Sequence, residues 1–184
     1  RSFAMVSRLT TQKGANLIAE LMPEFRERNM QLAVLGTGDY LYEHAIADFA
    51  YHNQSRIAAR ITFDEKLSRR FYAGADVFLM PSDFEPCGLA QMISMRYGTL
   101  PLVRETGGLK DTVKGYWDYG NTANGFSFKD FDANGLRNAV DLALGLWSDQ
   151  KDTWRELQMN AIEKHFGWEE SAEKYRKLYK SLLK

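Results

Sequence analysis

Short apolar runs rich in branched and aromatic side chains recur at Phe3 to Ser7, Gln31 to Leu35, Arg56 to Ile61, Asp76 to Met80, Leu100 to Val103 and Gly125 to Phe128. Between most of them the apolar positions fall three and four apart, a change of period that predicts strands separated by helices. The first helix is expected over Lys13 to Asn29, where Leu17, Ile18, Leu21, Met22 and Phe25 form one stripe and Pro23 should kink or restart it. Others are expected over Leu41 to Tyr51, Asp64 to Tyr72 and Gly88 to Tyr97, with a short one over Gly107 to Val113. Strands alternating with helices imply an α/β fold whose parallel sheet is closed by crossover helices.

Beyond Phe128 the pattern turns wholly helical, at Ala133 to Trp147, Lys151 to Lys164 and Glu169 to Leu183, and Gly115 to Asn124 reads as a long irregular loop. The chain of 184 residues suits one domain rather than two, and its start at a core strand without a lead-in predicts a piece of a longer protein. Lysine plus arginine balances aspartate plus glutamate at 24 each, so no global field holds a polyanion and nucleic acid is not an expected partner. Any phosphate must be bound locally. Cys87 is the single cysteine, which excludes a disulfide framework and fits a reducing cytosol. No apolar run reaches membrane-spanning length, so no membrane partner is expected.

Two glycine-containing segments lie just past predicted strands, Glu85-Pro86-Cys87-Gly88-Leu89 and Thr106-Gly107-Gly108-Leu109. In an open parallel sheet that edge is where backbone amides and helix starts converge on anionic ligands. Glu85 suits hydrogen bonds from hydroxyl groups, on a turn stiffened by Pro86, and equally suits the start of a helix. Gly107-Gly108 permits a close approach of backbone to phosphate with Thr106 as hydroxyl donor, although a double glycine by itself marks only a turn. Arg8 and Lys13 flank the first strand-to-helix turn and together can neutralise a diphosphate, although their spacing alone favours solvated surface cations.

Cys87 at a helix start invites a nucleophile reading, but none of the three histidines lies near it in sequence, which favours a packed, inert thiol. Phe63, just past the third strand, reads by itself as a core aromatic. Asp111 caps a helix as readily as it touches a ligand. Asp130-Phe131-Asp132 spells a carboxylate pair of the kind that holds a divalent metal, yet it precedes a helix and capping is the simpler role. His44 and His52 have no third ligand nearby, so no metal site is expected.

Ser7-Arg8-Leu9, Gln12-Lys13-Gly14, the E-P-C-G-L run at Glu85 to Leu89 and the T-G-G-L-x-D-T-V run at Thr106 to Val113 together resemble the nucleotide-sugar half of bacterial glycogen synthases and plant-type starch synthases. The resemblance extends to Phe166-Gly167-Trp168, where the family carries F-S-W and where His165 is expected to pack the terminal helix. It implies that residues 1–184 form the C-terminal, donor-nucleotide-binding domain of a glycosyltransferase-B-type fold, a Rossmann-like sheet of about six strands with flanking helices. The N-terminal acceptor domain, with a catalytic histidine, would lie outside this chain.

The implied reaction is retaining transfer of glucose from ADP-glucose to an α-1,4-glucan, with the chain alone inactive. Arg8 and Lys13 would contact the leaving diphosphate and Glu85 the donor hexose. Cys87, Gly88, Leu89, Thr106, Gly107 and Gly108 would line the donor site, and Phe63 would stack on adenine where the family usually carries tyrosine. Expected ligands are ADP-glucose or ADP without cofactor or metal, and the expected partner is glycogen or another α-glucan through the missing domain. The expected location is the cytoplasm, or the plastid in a plant. Related transferases carry a second glutamate eight positions after the first; Ile93 stands there and argues for glycogen and starch synthases. Two other classes share the fold: a nucleotide-sugar hydrolase or epimerase domain, and a non-catalytic nucleotide-binding module.

Overall fold

The computed structural model describes residues 1–183. Six parallel strands, β1 (Ser2–Val6), β2 (Gln31–Leu35), β3 (Ile57–Arg60), β4 (Val77–Met80), β5 (Leu100–Arg104) and β6 (Phe126–Phe128), form one sheet in the order β3-β2-β1-β4-β5-β6. Among the described residues nine helices connect or follow them: α1 (Ala15–Glu27), α2 (Tyr40–His52), α3 (Glu65–Gly74), α4 (Ala90–Arg96), α5 (Gly107–Thr112), α6 (Tyr116–Tyr119), α7 (Ala133–Asp149), α8 (Lys151–Glu163) and α9 (Trp168–Leu182). The predicted α/β class and the strand-helix alternation are present.

The central strands are buried on both faces, as a parallel sheet covered by crossover helices requires. Phe3, Met5, Val77 and Leu79 project to one face and pack with the stripes of α1 and α7. Ala4 and Phe78, of opposite parity, project to the other face and pack with Tyr72 of α3. Trp154 of α8 closes over Phe126, ring centres 5.8 Å apart. Burying each such large side chain contributes about 1.5–3 kcal/mol.

Three sequence expectations are corrected by packing. Pro23 does not restart the helix: α1 runs unbroken from Ala15 to Glu27, held by six buried apolar side chains on its inner face. The stretch from Gly115 to Asn124 is not an irregular loop, since it contains α6 and a 3-10 turn at Gly120–Thr122. His165 is exposed and does not pack the terminal helix; the neighbouring Phe166 lies against the core.

Strand order reverses direction between β1 and β4, and at such a reversal the connecting loops diverge and leave a crevice beyond the carboxyl ends of the strands. Among the described residues, no helix is long and apolar enough to cross a membrane.

Candidate functional site

Three loops meet at this crevice because β1 pairs with β4, and β4 with β5. They carry residues 7–14 after β1, 81–89 after β4 and 105–106 after β5. Their mutual fit depends on backbone. The Asp83 amide donates to the Gln12 carbonyl at 2.9 Å, and the Gln12 side chain donates to the Phe84 carbonyl at 3.4 Å. A side chain at Gly14 would run into Pro81, so glycine there lets the start of α1 reach the end of β4.

From the other side, Gly108 donates a shared hydrogen bond to the carbonyls of Glu85 and Pro86, at 3.2 and 3.1 Å. Gly107 has φ +44°, where a side chain is strained and a Cβ would overlap the Glu85 carbonyl oxygen. At Gly108 a Cβ would strike the backbone of Cys87. Arg104, the last residue of β5, donates to the Ser82 carbonyl at 2.8 Å and to the Asp83 carbonyl. The loop after β4 is thus clamped between its two neighbours, and Glu85 is presented from a fixed turn.

Glu85 faces Lys13. The two form an ion pair at the wall of a cavity of about 350 Å³, with side chains 12% and 18% exposed, respectively. Arg8, Ser82, Gly88 and Leu89 line the same cavity. Arg8 is exposed and has no ion-pair partner among the described residues. The amides of Gly88 and Leu89 donate no hydrogen bond within the described chain. This corner therefore combines two cations, free donors and one carboxylate, which suits a diphosphate beside a hydroxylated group.

A second cavity of about 300 Å³ adjoins the first and shares Val6, Ser7 and Arg8 with it. Its walls come from the ends of β2 and β3 and the start of α3, including Thr37, Phe63 and Asp64. Asp64 caps α3 by accepting from the Leu67 amide at 2.9 Å. Phe63 is 88% exposed, which excludes the core-aromatic reading and leaves its ring as an open face at the cavity mouth.

Of the residues singled out from sequence, Arg8, Lys13, Glu85, Gly88 and Leu89 meet around one cavity, and Phe63 joins Arg8 around the next. Cys87, Thr106, Gly107 and Gly108 line neither cavity. Cys87 is exposed rather than packed. The double glycine permits a close approach of backbone to backbone at the turn that carries Glu85. Asp132 caps α7, accepting from the Gly135 amide at 2.7 Å. No group of three potential metal ligands occurs among the described residues. Gln12 and Arg104 were not identified as site residues from sequence, yet they hold the Glu85 loop; a cation closing an otherwise apolar strand at the ligand edge was the available signal for Arg104.

The family described as glycosyl transferases group 1 matches residues 1–164. A glycogen synthase of Desulfitobacterium hafniense (strain DSM 10664 / DCB-2) is 48% identical over 179 residues, covering 97% of this chain and 38% of that protein. One of Clostridium perfringens (strain 13 / Type A) is 48% identical over 181 residues, covering 98% and 37%. Among solved structures, the catalytic domain of starch synthase IV from Arabidopsis thaliana, bound to ADP and acarbose, superposes with a TM-score of 0.88 at 32% identity, covering 98% of this chain and 38% of that one. The chain thus spans less than two fifths of the length of the curated relatives it matches.

Proposed function

The chain belongs to the group 1 glycosyl transferases, and we propose that it is the donor-binding domain of a glycogen synthase that transfers glucose from ADP-glucose to an α-1,4-glucan with retention of anomeric configuration. The observation that carries this reading is the Lys13–Glu85 pair set beside Arg8 at the strand-order reversal. The curated glycogen synthases support it through their identity to this chain, and the Arabidopsis enzyme through its bound ADP.

The chemical difficulty lies in breaking the bond between glucose and a diphosphate. Negative charge grows on the leaving oxygen, and preorganised cations stabilise that charge without reorganising at the moment of reaction. Arg8, open to both cavities, and Lys13 would serve this purpose without a metal ion. Glu85 would accept hydrogen bonds from hexose hydroxyls and fix the sugar, while the Phe63 ring would stack on adenine. Water must be kept from the anomeric carbon, and the acceptor brought to it, by closure of a second domain.

In this reading the acceptor glucan and the catalytic histidine belong to an N-terminal domain of the parent protein. Helix α9 supports a further partner within that protein: it buries none of its residues, and Trp168, Tyr175, Leu178, Tyr179 and Leu182 stand exposed. The proposed location is the cytoplasm.

Calorimetric titration with ADP and UDP tests the donor, and tighter binding of UDP would overturn that choice. Incorporation of labelled glucose from ADP-glucose into glycogen tests the division of labour. The parent protein should incorporate it and the 184-residue chain should not; elongation by the chain alone would place the catalytic groups within it.

A further inference from the structure

A third cleft lies at the same carboxyl edge but on the far side of the sheet, beyond β5 and β6. Its volume is about 250 Å³. Trp117 of α6 lines it and is 66% exposed, an unusual placement for the largest apolar side chain. Glu105 just after β5, Asp118 next to Trp117 in sequence, Lys129 just after β6 and Asn138 on α7 line the same cleft. Glu105 is held in place, accepting a hydrogen bond from Ser127 Oγ at 2.9 Å. Lys129 lies 3.9 Å from the Asp118 carboxylate, so the cleft's cation already faces an anion.

This chemistry selects its ligand. Two carboxylates against one engaged ammonium repel phosphate, so the cleft is not a second nucleotide site. An open indole in a cleft lined also by carboxylate and amide groups fits an uncharged ring with an apolar CH face and a rim of hydroxyls. Carboxylates and the Asn138 side chain accept from such hydroxyls, and the Asn138 amide also donates. At about 250 Å³ the cleft falls just below the roughly 300–1,000 Å³ of pockets for drug-sized ligands, a size suited to a sugar unit.

We propose that the Trp117 cleft is a secondary carbohydrate site that holds a glucose unit of the α-glucan acceptor against the indole, away from the donor cavities. The identity of the sugar rests on the proposed function. Location supports the role: Glu105 directly precedes Thr106 and Gly107, whose loop packs behind Glu85, so a glucan held here stays at the ligand-bearing edge of the sheet. A branched polymer gains from such a contact, because a tethered chain end returns to the donor site at high effective concentration.

The test is affinity electrophoresis of the 184-residue chain in gels with and without glycogen, beside calorimetry with ADP. Glycogen should retard the chain, and Trp117→Ala should weaken the apparent affinity about fivefold or more, as loss of a stacked ring implies. Trp117→Phe should keep most of the retardation and Asn138→Ala should lose part of it. ADP affinity and Tm should stay unchanged in all three variants. Absence of retardation in the unmodified chain, or equal retardation in Trp117→Ala, overturns the proposal. ADP binding without glycogen binding defeats the secondary site alone, whereas glycogen binding without ADP binding defeats the donor reading alone.

Discussion

Replacing Glu85 by glutamine separates the two roles assigned to the charged corner, because it removes a carboxylate that pairs with Lys13 and would also lie beside a bound diphosphate. Exposed ion pairs contribute about 0.2–1 kcal/mol, and removing one partner of a fully buried pair costs about 3–5 kcal/mol. With side chains 12% and 18% exposed, the Glu85–Lys13 pair lies between these limits, nearer the buried one. Glutamine keeps the shape and an oxygen acceptor, so Glu85→Gln should cost about 2 kcal/mol, lowering Tm by about 4–8 °C for a chain of this size.

Binding should move the other way. Freed from its partner, Lys13 can turn wholly to the phosphates, and repulsion between carboxylate and diphosphate disappears. A hydrogen bond to a charged group contributes about 1.5–3 kcal/mol, and recovery of about 1 kcal/mol of it tightens ADP about fivefold. Lys13→Ala, in contrast, should weaken ADP about tenfold or more by the same arithmetic. Calorimetry with ADP on both variants, with differential scanning calorimetry for Tm, gives the two signs directly. Under the proposed function Glu85→Gln should also depress glucose transfer in the parent protein, since the hexose would lose its carboxylate. If Glu85→Gln weakens ADP as Lys13→Ala does, the carboxylate supports the nucleotide instead of opposing it, and the assignment of Glu85 to the sugar is wrong.

Phe63→Ala should weaken ADP with no change in Tm, because the ring is almost fully exposed and contributes to stacking rather than to the core; Phe63→Tyr should bind as the unmodified chain does. Gly108→Ala should lower Tm and glucose transfer together, since the new Cβ meets the Cys87 backbone, which has no side-chain end to move aside; an unchanged melting curve would show that the two loops are not in contact. The Glu24 carboxyl is held below its ordinary range, first by its hydrogen bond from Arg137 and then by Arg28. Its contribution to stability is therefore present above the unfolded carboxyl value and lost as pH falls through the lower folded value. Glu24→Gln should melt lower than the unmodified chain at neutral pH, with the gap closing below about pH 4 in pH-dependent melting.

Much of the architecture was legible in the sequence, because strand and helix leave local periods that need no distant information. Gln31 to Leu35 is a strand at both its predicted ends, and the stripe from Leu17 to Phe25 marks the buried face of α1. The same stripe shows why local rules fail at Pro23: the propensity against proline inside a helix is outweighed by the burial of residues on either side of it. The motifs also lie just past the predicted strands, and the structure has them beyond the carboxyl ends of β1, β4 and β5. They did not show which side chains meet there. Lys13 and Glu85 stand 72 positions apart, and their pairing follows only from β1 lying beside β4, an order set by the packing of both faces at once. The double glycine at Gly107 has one local signature whether phosphate or another loop approaches it, and only the neighbouring position of the Glu85 turn shows that a loop does. Phe63 is likewise apolar by sequence and solvent-facing by placement, since a residue just past an edge strand has no helix above it to cover the ring. Period along the chain is a property of consecutive residues; contact across the sheet edge is a property of the whole packed domain.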